Sequence, residues 1–89
     1  MSTVKKKIAN GARIVDVRTP AEFGAGSYPG AINIPLTSLL SRIHELEPKD
    51  TPIVLFCASG ARSAQGARLL KMAGFVEVVN AGGLDDMPR

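Results

Sequence analysis

Ile53-Val54-Leu55-Phe56 is the most continuous apolar run in the chain. Pro52 bounds it on one side and Cys57 with a string of small residues on the other. A run this short, rich in β-branched and aromatic residues, fits a strand buried on both faces, which is the signature of a parallel sheet. The flanking segments agree with that reading. Arg13-Ile14-Val15-Asp16-Val17 is a second β-branched run, Ala31-Ile32-Asn33-Ile34 a short third ended by Pro35, and Phe75-Val76-Glu77-Val78-Val79 a fourth.

Helical patterns alternate with these strands. Thr3 to Ala9 can form a short helix capped by Ser2 or Thr3 and stopped by Asn10-Gly11. Pro20 to Phe23 opens a helical turn with Thr19 as N-cap. Leu36 to Leu46 carries apolar residues at Leu36, Leu39, Leu40, Ile43 and Leu46, which predicts an amphipathic helix. About Arg62 to Ala73 is predicted helical and closed by Gly74. Strands alternating with helices predict a small three-layer α/β/α sandwich with a four- to five-stranded, mainly parallel sheet. The 89 residues suffice for one domain, expected to span 1–89.

Charge and cysteine usage narrow the function classes. The net charge of +3 comes from the N-terminus: residues 1–13 hold four bases and no acid, the remainder seven bases and eight acids. With three Phe, one Tyr and no Trp, the chain lacks the stacking residues of a nucleic-acid binder, so nucleic acid is not expected as a partner. No apolar run approaches membrane-spanning length, so no membrane partner is expected. The basic stretch Lys5-Lys6-Lys7 is followed by Ile8-Ala9-Asn10-Gly11 rather than by the apolar block of a secretory signal. One cysteine cannot form an intramolecular disulfide, and a reducing, cytoplasmic setting is expected. Neither a metal nor a cofactor is expected.

In open α/β sheets, ligands bind beyond the carboxyl ends of the strands. The stretch leaving the central strand is Cys57-Ala58-Ser59-Gly60-Ala61-Arg62-Ser63. All its residues but Arg62 are small, and Gly60 permits a tight curve that can aim successive N–H groups at one centre. A helix beginning at Ala61 or Arg62 adds its positive end, and Arg62 a permanent cation. Such surroundings favour the thiolate of Cys57, with Ser63 or Ser59 available to donate a hydroxyl hydrogen bond. A thiolate in a nest of donors can attack an electrophilic atom attached to an oxyanion. The alternative for a lone cysteine, a buried structural role, is disfavoured by this context.

Loop length separates two chemistries. Four residues lie between Cys57 and Arg62. The tyrosine-phosphatase arrangement is one residue longer and needs a carboxylic general acid, and no acid lies in or next to this loop. Sulfur transfer from thiosulfate needs none.

The segment Ile14-Val15-Asp16-Val17-Arg18-Thr19-Pro20-Ala21-Glu22-Phe23, with Gly26 and then Pro29-Gly30-Ala31-Ile32-Asn33-Ile34-Pro35, resembles the N-terminal signature of single-domain rhodaneses, the thiosulfate sulfurtransferase-like family. Cys57 through Ser63 is similar to their active-site loop and Gly82-Gly83 to their C-terminal glycine pair. The resemblance covers about residues 3–87. It implies an enzyme whose Cys57 takes sulfane sulfur from thiosulfate or a persulfide donor. The persulfide, held by the amides of Ala58, Ser59, Gly60, Ala61, Arg62 and Ser63, then passes sulfur to cyanide or a thiol. Against the family's pattern, Ala58 stands where a base is frequent, Ser27-Tyr28 where His-Ile is usual, and Met87 where a tryptophan is common. The family's usual first strand is not expected before Thr3, so the sheet is expected to be one strand short. A neutral loop with Arg62 alone also fits a low-turnover sulfur carrier or partner-binding module.

The remaining polar residues read as structural. Asp16, Arg18 and Glu22 are expected to form an ion-pair cluster after the first strand. His44 has no neighbours at metal-ligand spacing and is expected at the surface. Gly82 and Gly83 are expected in a tight turn following the last strand, beside the active loop. Lys5-Lys6-Lys7 is expected to be a solvated helix face that could attract an acidic protein partner.

Overall fold

A computed structural model describes residues 3–89 of the chain. The possible cap Ser2 lies outside the described residues. Helix α1 (Thr3–Ala9) leads into strand β1 (Arg13–Asp16), helix α2 (Pro20–Ala25) and strand β2 (Ile32–Asn33). Two 3-10 turns follow, then strand β3 (Ile53–Cys57), helix α3 (Ala61–Met72) and strand β4 (Val78–Gly83). The sheet runs β2-β1-β3-β4 and every pairing is parallel. The fold is therefore the α/β sandwich expected from the sequence, with four strands among the described residues.

Strand periodicity divides the core in two. Val15, Ile53, Leu55 and Cys57 face α3, where Leu39, Ala67, Leu70 and Phe75 complete one cluster. Ile14, Val54 and Phe56 face the opposite way, onto Val4 and Ile8 of α1 and onto Met87. All five residues of β3 are buried, as expected for a central strand. Cys57 is thus placed by parity: being two residues beyond Leu55, it points toward the helix that begins at Ala61.

Three expectations fail. Leu36–Leu46 is not a helix but two 3-10 turns, Leu36–Ser38 and Ile43–Leu46, with Leu40 more than half exposed. Polar groups in the segment bond to one another and to β2, and the helix is not continuous. The Ser41 hydroxyl donates to the Ser38 carbonyl, and Arg42 donates to Glu45 and to the Asn33 carbonyl of β2. Leu39 and Leu46 still reach the core.

The last strand also begins later than its composition predicts. Phe75 completes the end of α3, its N–H donating to the Leu70 carbonyl, and Val76 is exposed. Pairing starts when the Ile53 N–H donates to the Glu77 carbonyl, and it runs through Val78, Val79 and Asn80 to Gly83. Leu55 opposes Asn80 and Cys57 opposes Gly83, so β4 carries one extra residue in a bulge. Gly82 absorbs it at φ +95°. The glycine pair is therefore the end of the strand, not a turn after it.

Candidate active site

Cys57 ends β3 with about 1% of its surface exposed. The chain then curves through Ala58 and Ser59 to Gly60, whose φ of +101° caps α3. That left-handed step turns the Gly60 N–H back onto Cys57 Sγ at 3.0 Å. The Ser63 N–H lies 3.4 Å from Sγ, and so does Ser63 Oγ. Burial pushes the Cys57 thiol up. Hydrogen bonds from the Ser63 hydroxyl and from the N–H groups of Ser63, Ser59 and Gly60 outweigh it, lowering the pKa from 9.0 to about 7. Partial charges on N–H groups and the start of α3 thus replace a contacting cation.

The outer side of this loop is open: Ala58, Ser59 and Ala61 are exposed. Its inner side presses on β4. A Cβ at Gly83 would collide with the Ala58 carbonyl oxygen, and a Cβ at Gly60 would lie 3.3 Å from Gly82 Cα. Asn80 stitches the two segments together, its Nδ2 donating to the Gly60 carbonyl and its Oδ1 accepting from the Gly82 N–H. The same Oδ1 accepts from Ser63 Oγ at 2.6 Å. Sequence reading missed Asn80, because a lone polar residue in a strand has no motif around it.

Arg62 does not point at the sulfur. Its guanidinium forms a two-pronged pair with Glu22 at 2.7 and 3.0 Å. Glu22 is fixed in turn by a capping box with Thr19 at the start of α2. The Arg62 side chain, then the Thr19 N–H, hold the Glu22 carboxyl at a pKa of about 2. The expected Asp16-Arg18-Glu22 cluster is accordingly two separate pairs. Asp16 binds Arg18 through both oxygens and also accepts from Ser27 Oγ, while Arg18 stacks over Phe56 with 5.9 Å to the ring centroid. Glu22 belongs with Arg62. The Thr19–Glu22 spacing gave the signal for Glu22's position but not for its partner.

The other sequence departures find places. Tyr28 OH donates to the Pro88 carbonyl, and Met87 fills the core under Phe56. His44 is exposed. Lys7, expected in a purely solvated row, instead pairs with Glu77 at 2.6 Å.

A parallel sheet whose central strand delivers one cysteine into a loop of inward N–H groups defines a domain built around a single thiolate. Comparison with known proteins places it more narrowly. The family model of the rhodanese-like domain matches residues 1–87, and the chain belongs to that family. It is 41% identical over 70 residues to a sulfurtransferase of Allochromatium vinosum, covering 79% of this chain and 64% of that one. With the thiosulfate sulfurtransferase PspE of Escherichia coli it shares 38% identity, covering 84% of this chain and 75% of that one. A solved structure described as a rhodanese with anions, from Escherichia coli, superposes with a TM-score of 0.82 at 36% identity. That superposition covers 88% of this chain and 95% of the other.

Among the described residues no helix is long and apolar enough to cross a membrane, and no three His, Cys, Asp or Glu side chains cluster as metal ligands.

Proposed function

We propose that the protein is a sulfurtransferase working through a Cys57 persulfide. The observation that carries this reading is the Cys57 sulfur itself, buried yet held near pKa 7 by neutral donors. In the first half-reaction the thiolate attacks the outer sulfur of thiosulfate. The S–S bond to the sulfonate breaks, and sulfite leaves with its electron pair. No proton is needed, so the absence of acids from Ala58–Ser63 is no obstacle. The N–H groups of Gly60 and Ser63, with those of Ala58, Ser59, Ala61 and Arg62 along the same curve, are suited to the terminal sulfur of the persulfide. In the second half-reaction cyanide or a thiolate attacks that sulfur and Cys57 leaves as thiolate. No cofactor enters either step. A reducing compartment, such as the cytoplasm, would keep the single thiol free.

One observation favours a second reading. Arg62, the only charge in the loop, is held by Glu22, so the loop itself offers no unpaired cation to a dianion. A protein or low-molecular-weight persulfide would then be the better donor, and the domain would act as a low-turnover carrier that delivers sulfur to a partner.

Mass spectrometry after thiosulfate treatment tests both. The enzyme reading expects Cys57 to gain one sulfur, to lose it to cyanide as thiocyanate, and to do neither as Cys57→Ser. Loading without turnover until a partner is added would select the carrier. If no sulfur is acquired from thiosulfate or from any persulfide, sulfur transfer is wrong for this chain.

A further inference from the structure

Ser63 Oγ has one hydrogen and four acceptors around it. Asn80 Oδ1 lies at 2.6 Å, the Gly60 carbonyl at 3.2 Å, and the Gly82 carbonyl and Cys57 Sγ at 3.4 Å each. The orientation of the Asn80 amide is fixed by its backbone partners. Its nitrogen faces the Gly60 carbonyl and its oxygen faces the Gly82 N–H. The atom presented to Ser63 is therefore an acceptor only, and the short contact requires the hydroxyl hydrogen to lie on that line. While it does, Ser63 turns a lone pair toward Cys57, an arrangement that suits a thiol donating to oxygen.

We propose that Asn80 is a positioning residue that competes with Cys57 Sγ for the single Ser63 proton and so sets how readily the thiol ionises. When Cys57 loses its proton to solvent, the hydroxyl rotates. Its bond to Asn80 Oδ1 breaks and a bond to the thiolate forms, with no change in the proton count of either side chain. Asn80 thereby opposes thiolate formation, although its amide also ties the loop together. The idea deepens the reading of Cys57 as the reacting sulfur, but it concerns only the ionisation of the thiol.

The charged groups around the sulfur stay fixed in this rotation. Strand β4 carries none. Arg62 on α3 is held by Glu22, Asp16 at the end of β1 is held by Arg18, and Asp86 beyond β4 accepts from the Gly83 N–H. None contacts the Asn80 side chain through the hydrogen bonds that define it.

The pH profile of Cys57 alkylation by iodoacetamide reads the switch without requiring sulfur transfer. Asn80→Ala is expected to move the midpoint down by about half a pH unit or more, the size expected from losing one neutral competing hydrogen bond. Asn80→Val, which suits a strand position better, carries the same expectation should the alanine variant fold poorly. In a Ser63→Ala background both shifts should vanish, because no shared proton remains. A midpoint that stays put or rises in the single variants, or one that moves equally with and without the Ser63 hydroxyl, overturns the proposal. Failure of sulfur loading with this pattern intact would count against the proposed function alone.

Discussion

Two neighbouring strands end in buried sulfur or oxygen that can carry negative charge, and they treat it in opposite ways. At the end of β1, Asp16 is fully buried and bound by the Arg18 guanidinium, with the Arg18 N–H and Ser27 Oγ adding hydrogen bonds. Arg18 is closed off further by the Gly26 carbonyl. At the end of β3, Cys57 is just as buried, yet its partners are N–H groups and a hydroxyl, and the one cation in the loop is turned toward Glu22. A matched ion pair fixes both charges and removes them from chemistry. Neutral dipoles favour a thiolate without pairing it to a counter-charge, so its charge is not neutralised by a fixed cation.

The contrast is broken most forcefully at Asp16. Asp16→Asn leaves the Arg18 guanidinium buried without its counter-charge, and breaking one side of a buried pair costs about 3–5 kcal/mol. Denaturant unfolding should register that loss, whereas Cys57→Ser, which removes all sulfur loading, should change stability far less at neutral pH. The folded fraction of Asp16→Asn should retain the Cys57 alkylation rate of the native chain. A large drop in that rate would mean that the two strand ends act as one site.

Legibility in the sequence follows how local each feature is. The central strand, the thiol at its end and the small-residue curve after it are contiguous, so one-dimensional pattern suffices for them. Helix α3 was visible to within a residue because its apolar spacing and Gly74 are local too. The segment 36–46 misled because Leu40 completes a helical stripe on paper, while Ser38, Ser41 and Arg42 bond in ways that periodicity ignores. The start of β4 was hidden by Phe75 and Val76, good strand formers that the end of α3 claims instead. Asn80 and the Glu22–Arg62 pair each join residues far apart in sequence, and only the parallel crossover brings them together.

Acidity gives a sharper and smaller test. A thiol whose folded pKa is about 7 against 9.0 unfolded stabilises the fold fully above pH 9. The contribution declines as pH falls and is gone once pH drops below about 7. Two pH units correspond to at most about 3 kcal/mol. The difference in unfolding free energy between native protein and Cys57→Ser should therefore widen in favour of the native chain between pH 6 and 9.5, values chosen to bracket the folded and unfolded midpoints. Asp16 and Arg18 are common to both proteins and cancel in the difference. A constant difference across that range would remove the neutral-donor account of the thiolate.

The smallest structural effect is expected at Arg62, and its smallness is informative. The Arg62–Glu22 pair is two-pronged, as Arg18–Asp16 is, though made end-on through both terminal nitrogens, and its side chains are 37% and 34% exposed. Water screens such a pair, and its loss should cost no more than about 1 kcal/mol. Arg62→Ala should therefore leave the protein folded while reducing turnover with thiosulfate by a larger factor than it reduces the folded fraction. Glu22→Gln should weaken the fold by a similar small amount but release the guanidinium toward the loop, lowering the KM for thiosulfate. Turnover with a persulfide donor, which does not need the Arg62 cation, should change little in either variant. If both substitutions alter turnover only in proportion to folded protein, Arg62 is a tie between α2 and α3, and recognition of the donor rests on the loop amides alone.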